Sequence, residues 1–390
     1  MRILVAEDER ITRRTLQRQL ESWGHEVVVA EDGAEAWDLF QQQQCDIVVT
    51  DWDMPRLDGR ALVERIRGSD AAGYVYMIML TGRSEKADLV TGMEAGADDF
   101  LAKPFDQNEL RVRVNAGERI IRLERNLAAH NLRMKRSLDA AADVQRDLLP
   151  KKLPETLAAR FAWHYEPCDE LGGDILNILP LDDRRVALYL LDVTGHGVPA
   201  ALLSVTLSRL LTTRGTSSSI LVDSETNRDG PAIRAPHEVL DRLNRDFPMA
   251  SQGGRFFTMV YAVMDTQTGV LEYALAGQPP PVLARRGRRA EQLDGSGYPL
   301  GVVDDGEFED YTLELAPGDR LFFYSDGITE AANPQGAMLG SEGLLGLIED
   351  ARALPLDQCV ARCMDDLRRW CTPKTFEDDI SLLALEIPDP

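Results

Sequence analysis

The stretch LLDVTGHGVPAALL, residues 190–203, decides how the larger part of this 390-residue chain folds. It follows directly on VALYLL (186–191), an apolar run whose length suits a buried strand. Asp192 closes that run. Gly195, His196 and Gly197 then make a turn almost bare of side chains, and an apolar stretch with helical spacing follows. A carboxylate in this place has two physical readings. It caps the helix, or it binds a metal ion at the floor of a site where backbone must come close.

The same pattern recurs. LGGDILN places Asp174 after two glycines, LFFYSDGITEA ends an apolar strand on Asp326, and FEDDISLLAL leads from Asp378 and Asp379 into a strand. Unpaired carboxylates at the edges of buried strands are costly, and two oxygen-loving divalent cations would satisfy such a group together. Gly195 and Gly197 let backbone approach the ions, and a carbonyl beside Asp192 is itself a possible ligand. Around these residues, ILNILPLD, RVALYLLDV, FFTMVYAVMD, GVLEYALA, PPPVLARR and DRLFFYSDG read as strands. PAALLSVTLSRLLTTR, HEVLDRLNRDF, EGLLGLIEDARAL and LDQCVARCMDDLRRW read as helices. Strands in runs imply antiparallel sheets with helices packed on them. The polar, Gly/Ser/Pro-bearing stretch 215–236 reads as a long flexible loop.

Residues 1–105 have a different rhythm. RILVA (2–6), EVVVA (26–30), DIVVT (46–50), YVYMIML (74–80) and DDFLA (98–102) read as strands, and helical patterns lie near 10–22, 33–43, 58–67 and 84–95. This alternation implies an α/β domain, a five-stranded parallel sheet doubly wound by helices. In such sheets functional residues gather at the carboxyl ends of the strands. Glu7 and Asp8, Asp51, Thr81 and Lys103 all fall there. Three crowded carboxylates repel unless they share a cation, and Mg²⁺ suits them. The turn WDMPRLDG keeps Asp51 accessible, as an aspartyl nucleophile toward a phosphoryl group requires.

Residues 106–150 lose the strand signal and read as helix, broken only by Gly117 and ended by Pro150. Apolar residues recur in heptads: Ile120, Leu127, Met134, Ala141 and Leu148 in one row, Ala116, Leu123 and Val144 in the other, with His130 and Ser137 interrupting the second. The spacing predicts a coiled-coil linker. Between 107 and 152 stand 11 Lys or Arg against 6 Asp or Glu, a basic stretch in a chain of formal charge −22. That overall charge argues against nucleic acid as the main partner. The five cysteines form no CxxC pair, which argues against zinc and suits a reducing, cytoplasmic setting. MRILVAEDER does not read as a signal peptide, and no apolar run approaches the length of a membrane span.

Two family resemblances rest on these residues. The first 105 or so positions resemble the receiver domain of bacterial two-component response regulators. The resemblance implies phosphorylation of Asp51 by a cognate sensor histidine kinase. It implies Mg²⁺ held by Glu7, Asp8 and Asp51 with the backbone carbonyl of Asp53, phosphoryl oxygens bound by Thr81 and Lys103, and Phe100 as the switch aromatic. Residues 145–388 resemble the PPM (PP2C-like) phosphatases, in the bacterial branch of stage II sporulation protein E and the stress-response phosphatases. DVTGHG, AGQPPP (276–281), GYPLGV (297–302), SDGITEA and the final DDIS carry it. It implies an αββα sandwich and two Mn²⁺ or Mg²⁺ ions about 4 Å apart. It also implies hydrolysis of phosphoserine or phosphothreonine by an activated water, with Asp192, Asp326 and Asp378 as the catalytic carboxylates. Asp192 would bridge the ions, the Val193 carbonyl would bind one, Asp326 and Asp378 would hold the other, and Asp174 would bind directly or through water. Asp379 is the weaker ligand of its pair, and His196 is a turn residue before it is a ligand.

Asn177 stands where the family often has a second aspartate, which puts any third metal in doubt, and Gln278 replaces a frequent histidine. GGD also occurs in diguanylate cyclases, but Ile175 and Leu176 follow instead of the acidic and aromatic residues they need. DAAADVQRDLLPKKLP (139–154) is similar to the helix that leads into the phosphatase domain of that family. The expected organisation is a receiver at 1–105, a helical linker at 106–150 and a phosphatase at 151–390. Phosphorylation of Asp51 would gate the phosphatase through a dimeric linker. The family implies a phosphorylated STAS-domain anti-sigma-factor antagonist as substrate, with no nucleic acid and no membrane involved. No anti-sigma kinase domain is expected, since the chain ends eight residues after Leu382. The alternative is an adaptor that binds a sigma-factor regulator without dephosphorylating it.

Overall fold

The computed structural model describes residues 1–69, 73–82, 93–151, 153, 159–212, 219–227, 230–304, 306–373 and 375–389. The chain divides into two units, Met1–Lys135 and Arg136–Pro390.

In the first unit β1 (Arg2–Ala6), β2 (Glu26–Ala30), β3 (Ile47–Asp51), β4 (Tyr76–Thr81) and β5 (Asp99–Ala102) form one parallel sheet in the order β2-β1-β3-β4-β5. Alternate residues serve opposite faces. Leu4, Val48, Met77 and Met79 join one core, while Ile3, Val5, Ile47, Val49, Ile78 and Leu80 join the other. Helices α1 (Arg10–Ser22), α2 (Gly33–Gln42) and α3 (Gly59–Arg67) cover the sheet. Asp32 caps α2 by accepting from the amides of Ala34 and Glu35, and Asp58 caps α3 through Ala61. The helix expected near 84–95 falls largely outside the described residues.

Helix α4 runs from Gln107 to Arg146, and the division between the units falls within it. Gly117 does not break it, contrary to the sequence expectation. A Cβ at Gly117 would lie 2.5 Å from the Tyr76 ring, so the glycine lets α4 press against β4. Leu110, Val114 and Ile121 bury their side chains in the receiver core. At the other end Ala142 packs with Leu171 and Ala201. Residues 122–137 lie between these anchors with every side chain exposed.

The second unit is built on two antiparallel sheets. One contains β7 (Ile175–Pro180), β8 (Arg185–Val193), β11 (Phe257–Asp265), β12 (Val270–Ala276) and β15 (Tyr311–Glu314), in the order β15-β12-β11-β8-β7. The other contains β6 (Arg160–Glu166), β13 (Val282–Ala284), β14 (Glu291–Gln292), β16 (Arg320–Tyr324) and β17 (Ile380–Glu386), in the order β14-β13-β16-β17-β6. The sheets pack face to face: Leu188, Leu190, Val260 and Ala262 share a core with Leu321, Phe323, Leu383 and Leu385. Helices α5 (Val198–Leu210) and α6 (Pro236–Asp246) lie on the first sheet. Helices α8 (Gly340–Ala351) and α9 (Leu356–Cys371) cover the second, with the short α7 (Asp326–Glu330) at its edge. This is the expected αββα sandwich. Each fully buried Leu, Ile or Phe in such a core contributes roughly 1.5–3 kcal/mol.

One expectation fails in part. The stretch 215–236 is not loop throughout, because β9 (Val222–Asn227) and β10 (Gly230–Ile233) pair as an antiparallel hairpin. Its polar composition hid the strands, since the backbone pairing of a two-stranded ribbon leaves no required apolar alternation in the sequence.

Candidate functional site

In the receiver unit the parallel sheet brings Glu7, Asp51 and Lys103 to one edge. Lys103 Nζ lies 2.7 Å from Glu7 Oε2 and 2.8 Å from Asp51 Oδ2. Glu7, Asp8 and Asp51 converge closely enough to share a metal ion. Burial raises the proton affinity of Glu7 and of Asp51, and Lys103 opposes the rise in both. Burial also disfavours the Lys103 cation, but its hydrogen bonds to Asp51 and Glu7 carry its pKa above the usual value. Thr81 is buried at the end of β4, while Asp53 is exposed in the turn after β3. Phe100 faces Trp52 with ring centroids 6.5 Å apart. One residue escaped the sequence reading. The buried Arg13 donates to the carbonyls of Glu7 (2.7 Å) and Asp8 (3.0 Å) and to Glu31 (2.6 Å), which fixes the acidic turn. An arginine within an amphipathic helix carries no sequence mark of that duty.

In the second unit the carboxylates come from both sheets. Asp192 lies near the end of β8, opposite Thr258 of β11. Asp174 precedes β7, Asp326 opens α7 after β16, and Asp378 and Asp379 precede β17. Asp192 is held up at about 7, first by burial, then by repulsion from Asp326, Asp378 and Asp379. Burial, then Asp192 and Asp379, pushes Asp174 well above the ordinary carboxylate range. Asp326 and Asp378 are raised mainly by burial, with Glu330 adding to the effect on Asp326.

Asp174 is 1% exposed and neither of its oxygens has a hydrogen-bond partner. Its neighbour Gly173 shows why the turn is glycine. A Cβ there would lie 2.5 Å from the Val193 carbonyl oxygen, 3.1 Å from that of Gly195 and 3.4 Å from Asp192 Oδ1. Backbone and carboxylate oxygens therefore crowd one another beside an orphaned carboxylate. That donor set is hard, anionic and unsatisfied, and it fits divalent cations.

Asp379 has another duty. Its Oδ2 accepts from the amides of Gly173 (2.6 Å) and Asp174 (3.1 Å), and its Oδ1 from Cys168 (2.8 Å). It holds the turn that carries Asp174. The buried Gln145, near the end of α4, holds the same turn from its other side. Its amide donates to the Gly172 carbonyl (2.7 Å) and accepts from the Gly172 N–H (3.3 Å). Neither the Asp379 cradle nor the Gln145 clamp was legible beforehand. The heptad register places Gln145 outside both apolar rows, where a polar residue is unremarkable. His196 is exposed in its turn, 3.5 Å from Asp169. Asn177 donates to the Leu148 carbonyl at 2.8 Å, and Gln278 donates to Thr258 at 2.8 Å.

Residues 182–388 match the family described as stage II sporulation protein E (SpoIIE), and residues 3–115 match the response regulator receiver domain. The probable transcriptional regulator ycf27 of Guillardia theta is 42% identical over 115 residues, which are 30% of this chain and 44% of that protein. The chain thus spans less than half the length of that curated relative. Among solved structures, the SiaA-PP2C domain of Pseudomonas aeruginosa has a TM-score of 0.54 at 21% identity. The alignment covers 67% of this chain and 99% of that one, and the likeness is one of fold. The RsbU and RsbW domains of a Mycobacterium tuberculosis protein align at 26% identity and a TM-score of 0.49, over 61% of this chain and 62% of theirs. The chain belongs to the stage II sporulation protein E family, with a response regulator receiver domain ahead of its PP2C-type phosphatase domain.

Proposed function

We propose that this chain is a two-component response regulator in which phosphorylation of Asp51 controls a metal-dependent phosphoserine or phosphothreonine protein phosphatase. One observation carries the reading. Asp174 is buried with both oxygens unpartnered, while Asp192 and the carbonyls of Val193 and Gly195 converge on the adjacent Gly173.

Two divalent ions, Mn²⁺ or Mg²⁺, when bound, supply the Lewis acidity that activates a water toward phosphorus. Asp192, the Val193 carbonyl, Asp326 and Asp378 would hold them, with Asp174 binding directly or through water. Asp379 keeps the 168–174 turn in place through its three backbone contacts. In the receiver Glu7, Asp8 and the Asp53 carbonyl would hold Mg²⁺, and Asp51 would accept the phosphoryl group from a sensor histidine kinase. Lys103 and Thr81 would bind its oxygens, and the Phe100 ring would report the change.

The coupling runs along α4. The helix begins in the receiver core and its last turn carries Gln145, which grips the residue two before Asp174. Ile120, Leu123, Leu127, Met134 and Val144 are exposed along its heptad rows, as a coiled coil between two copies needs. A shift in that pairing would reach the metal turn through Gln145. It requires a bias of only a few kcal/mol between two states. A phosphorylated STAS-domain anti-sigma-factor antagonist is the substrate this family membership favours. No described helix is long and apolar enough to cross a membrane.

The test is Mn²⁺-dependent hydrolysis of p-nitrophenyl phosphate with and without beryllofluoride, which mimics phosphorylated Asp51. Turnover that responds to beryllofluoride is expected. A folded protein inactive in both states would favour the adaptor instead. Deleting one residue from 122–137 rotates everything after it by about 100°, and regulation that survives this deletion would refute the helical coupling.

A further inference from the structure

Beside the catalytic carboxylates lies a second concavity, a cavity of about 300 Å³. Asp378 forms part of its wall, and Gly327 and Glu330 reach it from α7, the helix that Asp326 opens. Its other walls are Ala331, Ala332, Met338, Cys371 and Phe376, with the polar Thr375 between the last two. Glu330 and Glu377 complete the lining, both exposed. Among the described residues neither has an ion-pair partner. Nor do they belong to the described carboxylate groups that converge closely enough to share an ion. The cavity is therefore a slot with one apolar side, formed by Met338, Phe376 and the alanines, and two acidic side chains that have no ion-pair partner among the described residues, in a wall that it shares with the phosphatase site.

The wall is built in advance. Leu339 N–H donates to the Ala331 carbonyl (3.0 Å) and Asn333 N–H to that of Ala337 (3.0 Å). The Asn333 side chain accepts from the amides of Gln335 (3.0 Å) and Ala337 (2.9 Å). Trp370 Nε1 pins the Ala331 carbonyl from α9 at 3.1 Å. A slot fixed in this way loses little conformational freedom when it is filled.

An anionic phosphate gains nothing from Glu330 and Glu377, and an acidic side chain beside it would be repelled. A long cation fits both features, because lysine and arginine lay an apolar stem along a hydrophobic wall and keep the charged head at its rim. We propose that this cavity is a specificity subsite for a lysine or arginine side chain of the phosphorylated substrate protein, its stem against Met338 and Phe376 and its charge against Glu330 and Glu377. The proposal rests on the phosphatase reading above. It adds that the enzyme discriminates among phosphoproteins by charge close to the phosphorylated residue, with repulsion of acidic neighbours as the negative half of the selection.

The test walks one arginine, or one glutamate, through each position from three before to three after a phosphoserine in an otherwise Ala/Gly peptide. The full-length protein is assayed with Mn²⁺, with p-nitrophenyl phosphate as the substrate that has no flanking side chain. At one or more positions arginine should exceed glutamate in kcat/KM by about tenfold, the ratio equivalent to about 1.4 kcal/mol. In Glu330→Gln/Glu377→Gln that ratio should fall toward one, and in Glu377→Lys it should invert. A parallel arm measures binding, by fluorescence anisotropy, of labelled peptides in which a non-hydrolysable phosphonate replaces the phosphate. The same order should appear there, and it should weaken with added salt. Hydrolysis of p-nitrophenyl phosphate with no preference among the peptides overturns the subsite and leaves the phosphatase standing. If nothing is hydrolysed, the phosphatase reading fails, and the anisotropy ranking still decides the subsite: equal binding of arginine and glutamate peptides overturns it.

Discussion

The two acidic sites of this chain solve one electrostatic problem in opposite ways. In the receiver, Lys103 sits between Glu7 and Asp51 at 2.7 and 2.8 Å, so the site carries its own cation. In the phosphatase unit Asp192 is repelled by Asp326 and Asp378, and Asp174 by Asp192, and no lysine or arginine among the described residues is paired with any of them. The first site is partly compensated before any metal arrives. The second reduces its repulsion by holding protons, which is why Asp192 is pushed up to about 7. A partly compensated site suits a switch that must persist between signals. An unbalanced one suits a catalyst whose readiness depends on metal.

That contrast can be broken most directly at Asp192. Asp192→Asn should lower Mn²⁺-dependent phosphatase turnover by more than about a hundredfold, beyond the usual cost of losing a group that merely supports a metal ligand. The same substitution removes a source of repulsion, so the metal-free protein at pH 8 should melt higher than the wild type. Retained activity, or a lower melting point, would sink the picture of a metal-dependent carboxylate floor.

The pH dependence sharpens the contrast next. Asp192 moves from an ordinary 3.8 to about 7 in the folded state, so between those values the folded chain binds more protons than the unfolded one. Its stabilising contribution is therefore fully present below about pH 4 and is lost as pH rises through about 7, a change of a few kcal/mol. Metal-free protein followed by calorimetry should show the second unit weakening from pH 5.5 to 8, and Mn²⁺ should abolish the trend. Stability that rises over this range without metal would contradict the assignment.

Lys103→Met is the converse experiment in the first unit. It leaves Glu7 and Asp51 uncompensated and should destabilise the receiver by about 2 kcal/mol at pH 7, discounted for the partial exposure of the lysine. Urea unfolding would measure this, and added Mg²⁺ should restore part of the loss. The smallest effect is expected at Gln145→Ala, about 1 kcal/mol from two backbone groups of Gly172 left unsatisfied. Its informative readout is the ratio of turnover with and without beryllofluoride, which should shrink toward one.

Much of the fold was open to a reader of the sequence because periodicity reports burial. β1, β2, β8 and α1 fall on the residues their patterns marked: β1 and β8 are buried along nearly their whole length, β2 is a half-buried edge strand with an unbroken valine run, and α1 is buried on one face. Carboxylates at strand ends were legible for the same reason, because a charge that terminates an apolar run needs an explanation. The missed features share a different cause. Strand β6, RFAWHYE, mixes charged and aromatic residues because it lies at a sheet edge, and β15 is short for the same reason. Gly117 looked like a break because sequence alone does not show Tyr76 against it. Arg13, Gln145 and Asp379 act through contacts 5 to 211 residues away in sequence, and no local pattern marks those.

Strand β17 has a consequence for mutational tolerance. Ile380, Leu382 and Ala384 point into the core beneath α8 and α9, while Leu383 and Leu385 point into the core between the sheets. A one-residue insertion or deletion within β17 would exchange those two sets and leave both cores mispacked. Asp378 and Asp379 are tethered to the first residue of that strand. The acidic floor is thus anchored to the segment of the domain least able to drift in register, and its geometry can be lost by unfolding far more easily than by gradual displacement.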